Sequence, residues 1–270
     1  MDSIAIFNQK GGVGKTTSVV NFAACLEKEY NNRVLVIDCD SQSNASSYLL
    51  TYSDDDDISD IERSAYDIED YIKKKAPLAE CVNQVIAPFK RRKIITDIFV
   101  VRGTKNMDEL DMDDDIFKTL LREAEEMGFD YVIFDCPANL TKPTIATLSA
   151  VQFILIPITA DIYCLGGYDM LMDNVNRIRM TTNINLQMLG IFFNGMKTVR
   201  KLDKYMYADN IENMKEMMFK TKIRDTADIP VAGFMGAPIP YLKPSAEVNQ
   251  DYMKLIKEIR SRIKKMKKGV

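Results

Sequence analysis

One short segment near the start of the chain constrains the fold more than any other. The run Gln9-Lys10-Gly11-Gly12-Val13-Gly14-Lys15-Thr16-Thr17 lies between a short apolar stretch and an apolar-periodic stretch. Glycines in such a run let the backbone turn tightly, so that successive N–H groups point at phosphate oxygens, and the next helix presents its positive N-terminal end. A strand, this loop and a helix in succession predict a site for a nucleoside triphosphate with magnesium.

Three side chains of the loop carry the expected chemistry. Lys15 is predicted to contact the β- and γ-phosphates as a point charge, Thr16 to place its hydroxyl on magnesium, and Thr17 to reach the α-phosphate. The backbone of the preceding residues completes the predicted cradle: Gly11, Gly12, Val13 and Gly14.

The loop departs from the strict pattern G-x-x-x-x-G-K-[ST] at its start. Gln9 stands where the pattern has its first glycine, and Lys10 adds a second lysine just before the glycine pair. Lys15 already serves the nucleotide of this loop, so that nucleotide does not readily explain Lys10. A plain alternative is that Lys10 is a solvated loop residue.

Size and composition predict one soluble, intracellular domain spanning residues 1–270. The chain has 270 residues with 46% hydrophobic content, enough for a substantial core. It has no run of 18 apolar residues and no signal-peptide pattern, and its five cysteines show no C-x-x-C spacing. The sequence contains no histidine, which excludes an imidazole base. Because the chain begins directly with a strand, we expect no N-terminal extension for operator recognition.

The order of apolar runs predicts an α/β fold: a doubly wound, mostly parallel sheet flanked by helices, as in P-loop NTPases. Apolar runs and helical periodicity alternate along the chain. The predicted strands are Ile4 to Phe7, Arg33 to Ile37, Ile98 to Val101, Tyr131 to Phe134, Phe153 to Pro157 and Leu189 to Phe193. The predicted helices are Thr16 to Tyr30, Ala65 to Lys75, Asp115 to Met127 (closed by Gly128) and Gly167 to Met180.

Acidic and amide residues stand where predicted strands end. Asp38 and Asp40, then Asp135, then Asn194 follow three different apolar runs. Ligands of parallel sheets bind beyond the carboxyl ends of the strands, so these side chains are expected to face the phosphate loop. Asp135 is predicted to hold magnesium, and Asp38 or Asp40 to orient the attacking water, with Asp38 a further metal candidate. Asp and Asn also cap helices and start turns, which is the alternative for each.

Several segments resemble the ParA/MinD family of deviant Walker-A ATPases, and the resemblance covers nearly the whole chain. The loop with its extra lysine matches, as does Asp38-Cys39-Asp40-Ser41-Gln42-Ser43-Asn44-Ala45, similar to D-x-D-P-Q-x-N-A with Ser41 in place of proline. Asp135-Cys136-Pro137-Ala138 resembles D-C-P-P. The stretch Phe219 to Ile223 and the later Gly236, Ile239 and Ser245-Ala246-Glu247 also fall in step.

The resemblance implies a specific assignment of roles. Lys10 would act in trans on the partner's phosphates in an ATP-sandwich homodimer, and Asp40 would be the switch residue linked to hydrolysis. Asn194 and the backbone after Ile223 would frame adenine. The resemblance implies the cofactors ATP and Mg²⁺, non-specific DNA binding, and release after hydrolysis stimulated by a centromere-binding, ParB-like partner.

The chain departs from the family where DNA binding is decided. Family members carry arginines in the segment matching Arg224 to Ile229, where this chain has Asp225 and Asp228. A carboxylate facing phosphate is repulsive, so DNA affinity is lost there or moved elsewhere. The basic residues that could compensate are Lys197, Arg200, Lys201, Lys204, Arg224, Lys264 and Lys265.

Two functions remain open at the level of sequence. The first is a bacterial, nucleoid-associated partition ATPase that segregates a plasmid, chromosome or mobile element. The second is a membrane-cycling ATPase of the MinD kind, because the terminal basic helix or tail at residues 255–270 has an apolar stripe suited to an anionic lipid surface. Such a stripe also packs commonly against its own domain. An iron–sulfur reductase is discounted, since paired cluster cysteines have no convincing counterparts.

Overall fold

A computed structural model describes residues 1–51, 63–89, 92–159, 168–196, 214 and 216–269. Its centre is a seven-stranded sheet with strand order β3-β4-β2-β5-β1-β6-β7. Every strand pair in it is parallel except β3 with β4. The strands are β1 Asp2–Ile6, β2 Val34–Asp38, β3 Val82–Phe89, β4 Arg92–Val101, β5 Tyr131–Asp135, β6 Phe153–Ile158 and β7 Gln187–Phe193.

Helices follow most of the strands and cover the sheet. The α-helices of the described residues are α1 Lys15–Tyr30, α2 Asn44–Leu49, α3 Ile68–Ile72, α4 Leu78–Cys81, α5 Ile116–Glu126, α6 Lys142–Ala150, α7 Tyr168–Thr181, α8 Asp228–Phe234, α9 Ile239–Leu242 and α10 Glu247–Lys267. A 3₁₀ turn spans Met107–Glu109.

Alternation along the strands separates two hydrophobic cores. Ile4 and Ile6 of β1 point into the core that contains α1 and α10, whereas Ala5 and Phe7 belong to the core that contains α5, α6 and α7. Successive side chains of a strand point to opposite faces, so a strand covered on both sides must be apolar throughout. The predicted mostly parallel, doubly wound sheet is therefore confirmed.

Register brings the ends of the central strands to one level. Ile6 of β1 pairs with Asp135 of β5, and Asp38 of β2 pairs with the same Asp135. The parallel arrangement thus sets two carboxylates side by side, directly beneath the loop that leaves β1.

The terminal helix packs on the domain with its apolar stripe. Leu255, Ile256, Ile259 and Ile263 are at most 3% exposed, in the core they share with α1 and β7. The proposed interfacial use of this stripe is therefore wrong, because a face that is already buried is not available for lipid. Among the described residues, no helix is long and apolar enough to span a bilayer.

The sheet and its helical cover differ from the predicted elements in several places. The edge strand β3 runs antiparallel to β4, and the β4 strand starts six residues before the predicted Ile98, at Arg92. A proline and a register shift between Gln84 and Ile86 disturb the alternation of β3, which hides its period. The helix expected over Ala65 to Lys75 is shorter, covering Ile68–Ile72, because Asp67 caps it with hydrogen bonds from Glu69 and Asp70.

Candidate functional site: a phosphate-loop crevice

The loop after β1 adopts the conformation that only glycine accepts readily. Gly12 has φ 74° and Gly14 has φ 81°, both in the left-handed region. A Cβ on Gly14 would lie 2.0 Å from Nδ2 of Asn194. That amide donates a 2.8 Å hydrogen bond to the carbonyl of Val13. Asn194 therefore ties the end of β7 to the loop, as its position after a strand predicts.

Lys15 begins α1 and folds back over its own loop. Its Nζ donates to the carbonyl oxygens of Asn8 at 3.2 Å and Lys10 at 3.3 Å. Burial lowers the pKa of the Lys15 ammonium, while the nearby carboxylates of Asp135 and Asp40 act in the opposite direction. Both hydrogen-bond acceptors of this ammonium among the described residues are carbonyl oxygens, which it can exchange for phosphate oxygens, stronger partners for an ammonium.

Asn8 is a site residue that the sequence analysis missed. Its Nδ2 donates to the carbonyl of Pro157 at 2.7 Å, and its Oδ1 accepts from the backbone of Lys10 at 2.9 Å. Asn8 thus anchors the start of the loop to the end of β6. The available signal was its position, since it is the first polar residue after the β1 run, as Asn194 is after β7.

Thr16 and Asp135 meet, as predicted for a magnesium site. The Thr16 hydroxyl donates to Oδ2 of Asp135 at 2.7 Å. The other oxygen, Oδ1, is buried and has no hydrogen-bond partner among the described residues. An unsatisfied buried carboxylate oxygen beside a hydroxyl fits a hard cation, directly or through its water, because Mg²⁺ prefers oxygen ligands.

The electrostatic environment of Asp135 also favours a bound cation. Burial raises the pKa of Asp135 well above its usual value, and the adjacent Asp38 raises it further, against the hydrogen bond from Thr16. Two buried carboxylates side by side repel one another unless a cation lies between or beside them. No cluster of three or more acidic, Cys or His ligands occurs in the described part of the chain. The arrangement suits an ion that takes most of its ligands from phosphates and water.

Asp38 holds the turn that follows β2. Its Oδ2 accepts from the backbone N–H of Ser46 at 2.8 Å and from the Ser46 hydroxyl at 2.6 Å, and its Oδ1 accepts from the N–H of Asp40 at 3.2 Å. Burial raises the pKa of Asp38 to about 6, although these hydrogen bonds act against the rise. Ser46 also accepts from the N–H of Gly103 after β4. Ser46 is a second supporting residue that the sequence analysis missed.

Asp40 is the more accessible of the two aspartates. It is only partly buried, and its Oδ1 accepts a local hydrogen bond from the N–H of Gln42 at 2.9 Å. Ser43, at φ 49°, closes this turn by donating its N–H to the Asp40 carbonyl at 2.8 Å. A side chain in a short surface turn can reorient at small cost, which is what a switch residue requires.

A buried contact links the two strand ends to α6. Cys39 and Cys136, which follow the two buried aspartates, are both fully buried, as expected for small core residues. The Thr147 hydroxyl of α6 donates to the Cys39 sulfur at 3.8 Å. The backbone N–H of Cys39 donates to the Asp135 carbonyl at 3.0 Å. A displacement of either strand end would therefore also move its contacts with α6.

The predicted adenine region is assembled beside Asn194. The segment around Ile223 runs along the end of β7: the N–H of Ile223 donates to the Phe193 carbonyl at 2.8 Å, and the N–H of Met196 donates to the Ile223 carbonyl at 2.9 Å. These two bonds flank Asn194, whose side chain reaches the phosphate loop. The assignment of Asn194 and Ile223 to adenine stays a prediction.

The residues predicted to contact DNA fall into three groups. The first group, Lys197, Arg200, Lys201 and Lys204, lies outside the described residues. Arg224 forms two hydrogen bonds to Asp251, of which Nε to Oδ2 is 2.6 Å, and it also pairs with Glu247. Its charge is thus already matched by two carboxylates. The third group, Lys264 and Lys265, is exposed on α10.

Comparison with known proteins agrees with a nucleotide site in this crevice. A model of the AAA domain family matches residues 1–188. The chain belongs to this family. It is 28% identical to the sporulation initiation inhibitor protein Soj of Bacillus subtilis, over 95% of this chain and 97% of Soj. It is also 28% identical to the chromosome-partitioning ATPase Soj of Thermus thermophilus, over 96% of both chains. The protein is therefore an ATPase of the ParA/MinD family.

Solved structures agree in fold. The Pyrococcus furiosus cell division ATPase MinD superposes with a TM-score of 0.74 at 20% identity, covering 96% of this chain and 98% of MinD. A Cyanothece McdA(D38A)–ATP complex superposes with a TM-score of 0.75 at 21% identity, covering 97% and 96%. At this identity the likeness concerns the fold, which is that of the P-loop NTPases.

Proposed function

We propose that the protein is a DNA-partition ATPase whose cofactors are ATP and Mg²⁺. The observation that carries the proposal is the meeting of Lys15, Thr16 and Asp135 in one crevice, with a buried oxygen of Asp135 left unsatisfied. A phosphate cradle, a lysine and a carboxylate-bound cation are the parts that phosphoryl transfer requires. Soj of Thermus thermophilus, which the chain resembles over nearly its whole length, bears the name chromosome-partitioning ATPase.

The residues of the crevice have separate tasks in this proposal. Backbone N–H groups of the loop and the Lys15 ammonium bind the phosphates, and Thr16 with Asp135 holds the cation. The cation neutralises charge that develops on the transferred phosphoryl group. Thr17, the next residue of α1, is proposed to contact the α-phosphate. A putative plasmid partition protein of Borrelia burgdorferi with the same fold was solved with AMPPNP, which supports this class of ligand.

Asp40 is the better candidate to orient the attacking water. The carboxylate of Asp38 is fully buried, and both of its oxygens accept hydrogen bonds from the turn. Asp40 is partly exposed at the edge of the crevice. Asp38 then serves to fix the turn that presents Asp40, and it adds negative charge beside the cation.

Lys10 is proposed to act on the nucleotide of a second copy in an ATP-dependent homodimer. Its N–H is held by Asn8 and its carbonyl by Lys15, so the backbone of this residue is fixed on the rim of the loop. The nucleotide in the same loop already has Lys15. A dimer that depends on ATP would couple hydrolysis to dissociation, and with it to release of bound DNA.

The cargo and partner follow from the partition class. We infer that the ATP-bound dimer binds DNA without sequence preference on the bacterial nucleoid, and that a ParB-like centromere-binding protein stimulates hydrolysis. The membrane alternative has lost its support, because the apolar residues it needs are buried on the inner face of α10.

Duplex-DNA binding in three nucleotide states tests the proposal. The purified protein is titrated with DNA in the presence of ATP and Mg²⁺, of ADP and Mg²⁺, and without nucleotide. We expect binding with ATP only, weakened by salt, and we expect Lys15→Ala to lose it. Binding of ATP by the wild type without DNA binding in any state would overturn the partition assignment.

A further inference from the structure

The outer face of α10 carries only lysines and one serine along most of its length. From Lys254 onward the exposed residues of this face are Lys254, Lys257, Ser261, Lys264, Lys265 and Lys268, while the first turn of the helix adds the exposed Glu247 and Gln250. We call its five lysines the lysine ridge. Lys268 directly follows the last helical residue, Lys267.

Helix geometry places the lysine ridge opposite the core. At about 100° per residue, the ridge falls within an arc of about 100°, and the centre of the arc of buried apolar residues lies about 180° away. From Lys254 to Lys268 the ridge is about 21 Å long at 1.5 Å per residue. It is therefore a continuous, outward-facing positive surface.

The arginines of the same helix are used differently. Arg260 donates to Oδ1 of Asn32 at 2.7 Å and stacks 3.9 Å from the ring centre of Tyr30. Arg262 donates to the carbonyl oxygens of Leu189 and Met217 at 2.9 and 2.8 Å. Both guanidinium groups attach α10 to the body of the domain, which leaves the ridge to the lysines.

The carboxylates of α10 are also engaged away from the ridge. Glu247 and Asp251 pair with Arg224, and Glu258 accepts from the N–H groups of Lys220 at 2.9 Å and Thr221 at 3.1 Å. Among the described residues, Lys267 pairs with Asp2, whereas the ridge lysines take part in no ion pair. The ridge is thus not neutralised by its own helix.

Helix stability does not explain this composition. Lysines three and four residues apart on one face repel one another, and a solvated face would gain more from alternating charges. The helix dipole favours cations in the last turn, which accounts for Lys264, Lys265 and Lys268. It gives no reason for Lys254 and Lys257, which lie before the last turn, in the first half and at the midpoint of the helix.

We propose that the lysine ridge is the surface that contacts the phosphates of duplex DNA, an inference that rests on the partition function proposed above. One strand of a duplex carries a charge about every 3.4 Å, so a ridge of this length faces about six phosphates. An anionic membrane fits less well, because an interfacial helix inserts apolar residues beside its cations, and those of α10 face inward.

The lysine ridge also compensates for a second surface, the segment from Arg224 to Ile229, whose charge is unfavourable for binding phosphate. The segment from Arg224 to Ile229 contains Asp225 and Asp228, and Arg224 is matched by two carboxylates. Its net charge does not attract phosphate. The ridge supplies the missing positive surface on a rigid helix, where the lysine spacing is fixed.

Salt dependence of DNA binding provides the test. The ridge variant Lys254→Gln/Lys257→Gln/Lys264→Gln is compared with Lys74→Gln/Lys105→Gln/Lys118→Gln, a control with the same change in net charge on exposed lysines elsewhere. A fluorescent duplex is titrated with each protein in ATP and Mg²⁺ between about 50 and 200 mM salt. We expect the ridge variant to show a log K against log[salt] slope shallower by about 2.7 per protomer, and the control to keep the wild-type slope.

Any other result contradicts the proposal that the lysine ridge contacts DNA. The possible results also distinguish a failure of this proposal from a failure of the proposed partition function. If the ridge variant binds DNA like the wild type, or if both variants lose DNA affinity equally, the lysine ridge is not the DNA contact surface. The proposed partition function is unaffected by either result. If the wild type binds no DNA in any nucleotide state but the ridge is needed for binding to phosphatidylserine vesicles, both proposals fail. Thermal midpoint and ATP affinity of each variant show that it is folded.

Discussion

The phosphate-loop crevice and helix α10 differ in how their polar residues interact with the rest of the domain. In the crevice, polar groups meet at close range from three separate segments, the phosphate loop with the start of α1, the end of β5 and the end of β7: Thr16 contacts Asp135 at 2.7 Å, and Asn194 contacts the Val13 carbonyl at 2.8 Å. On α10, the lysines of the ridge are exposed, and they take part in no ion pair within the part of the chain that the structure describes. The proposed role of the crevice thus depends on the positions of individual atoms. The proposed role of α10 depends on which face of the helix is buried and which is exposed.

This difference teaches where substitution is tolerated. A group in the crevice is surrounded by fixed partners, so its loss leaves a buried polar atom unsatisfied, which is costly. A lysine of the ridge loses only solvent contacts in the free protein. The variants below sharpen or break this contrast, from the largest expected effect to the smallest.

Lys15→Ala is expected to lower kcat/KM for ATP hydrolysis by about a thousandfold, because it removes the buried charge that stabilises the transferred phosphoryl group. Steady-state phosphate release measures it. Lys105→Ala, an exposed lysine remote in the chain from the loop, is the control and is expected to match the wild type. A loss of less than tenfold at Lys15 would remove it from its assigned role.

The two faces of α10 are compared by Ile259→Ala and Lys257→Ala. Ile259 is 2% exposed, so truncation is expected to lower the free energy of unfolding by about 2 to 5 kcal/mol through lost burial and a cavity. Lys257 is exposed, and its truncation is expected to change stability by no more than about 0.5 kcal/mol. Urea unfolding followed by circular dichroism measures both. Equal effects would mean that α10 is not docked as described.

Gly14→Ala and Gly195→Ala separate a clash from backbone strain. Both glycines have positive φ, 81° and 66°, but among the described residues only the Gly14 Cβ would meet another group, the Asn194 amide at 2.0 Å. We expect Gly14→Ala to cost about 3 kcal/mol and to abolish ATP binding. The control Gly195→Ala is expected to cost about 1 kcal/mol, from strain alone. Thermal unfolding with and without ATP tests this, and equal costs would contradict the contact.

Asp38→Asn probes the buried carboxylate through pH. Its pKa in the folded protein is about 6, above the ordinary value of 3.8, so the folded state holds this proton more tightly than the unfolded state. Stability from this group is complete below pH 3.8 and is lost as pH rises through 6. Without nucleotide and Mg²⁺, the wild type is expected to lose on the order of 3 kcal/mol over this interval. The asparagine variant should lack this loss, since it does not titrate.

Chemical denaturation at a series of pH values measures the Asp38 effect. Asparagine placed with its Oδ1 toward Ser46 keeps the two shorter hydrogen bonds of the turn, so the variant is expected to fold. Parallel pH profiles for the two proteins would show that Asp38 is ionised at no cost, and that the crevice is more polar than described.

Much of the crevice was predictable because its parts are local in sequence. The loop from Gly11 to Thr17 follows a strand, and Asp135 and Asn194 end strands of a parallel sheet, whose carboxyl ends share one edge. The supporting residues were not predictable in this way. Asn8 and Ser46 act through hydrogen bonds to Pro157 and Asp38, and nothing in their neighbouring sequence names those partners.

The sequence by itself determined that this chain forms a mostly parallel α/β sheet with a phosphate loop, because those signals lie in contiguous runs of residues. Tertiary structure alone decided how α10 is used. Its periodicity is compatible with lipid or with a core, and only packing against α1 and β7 shows that the apolar stripe is buried. Only the pairing of Arg224 with Asp251 and Glu247 shows that this cation is already matched. Burial and ion pairing are relations between distant segments, which one-dimensional patterns do not contain.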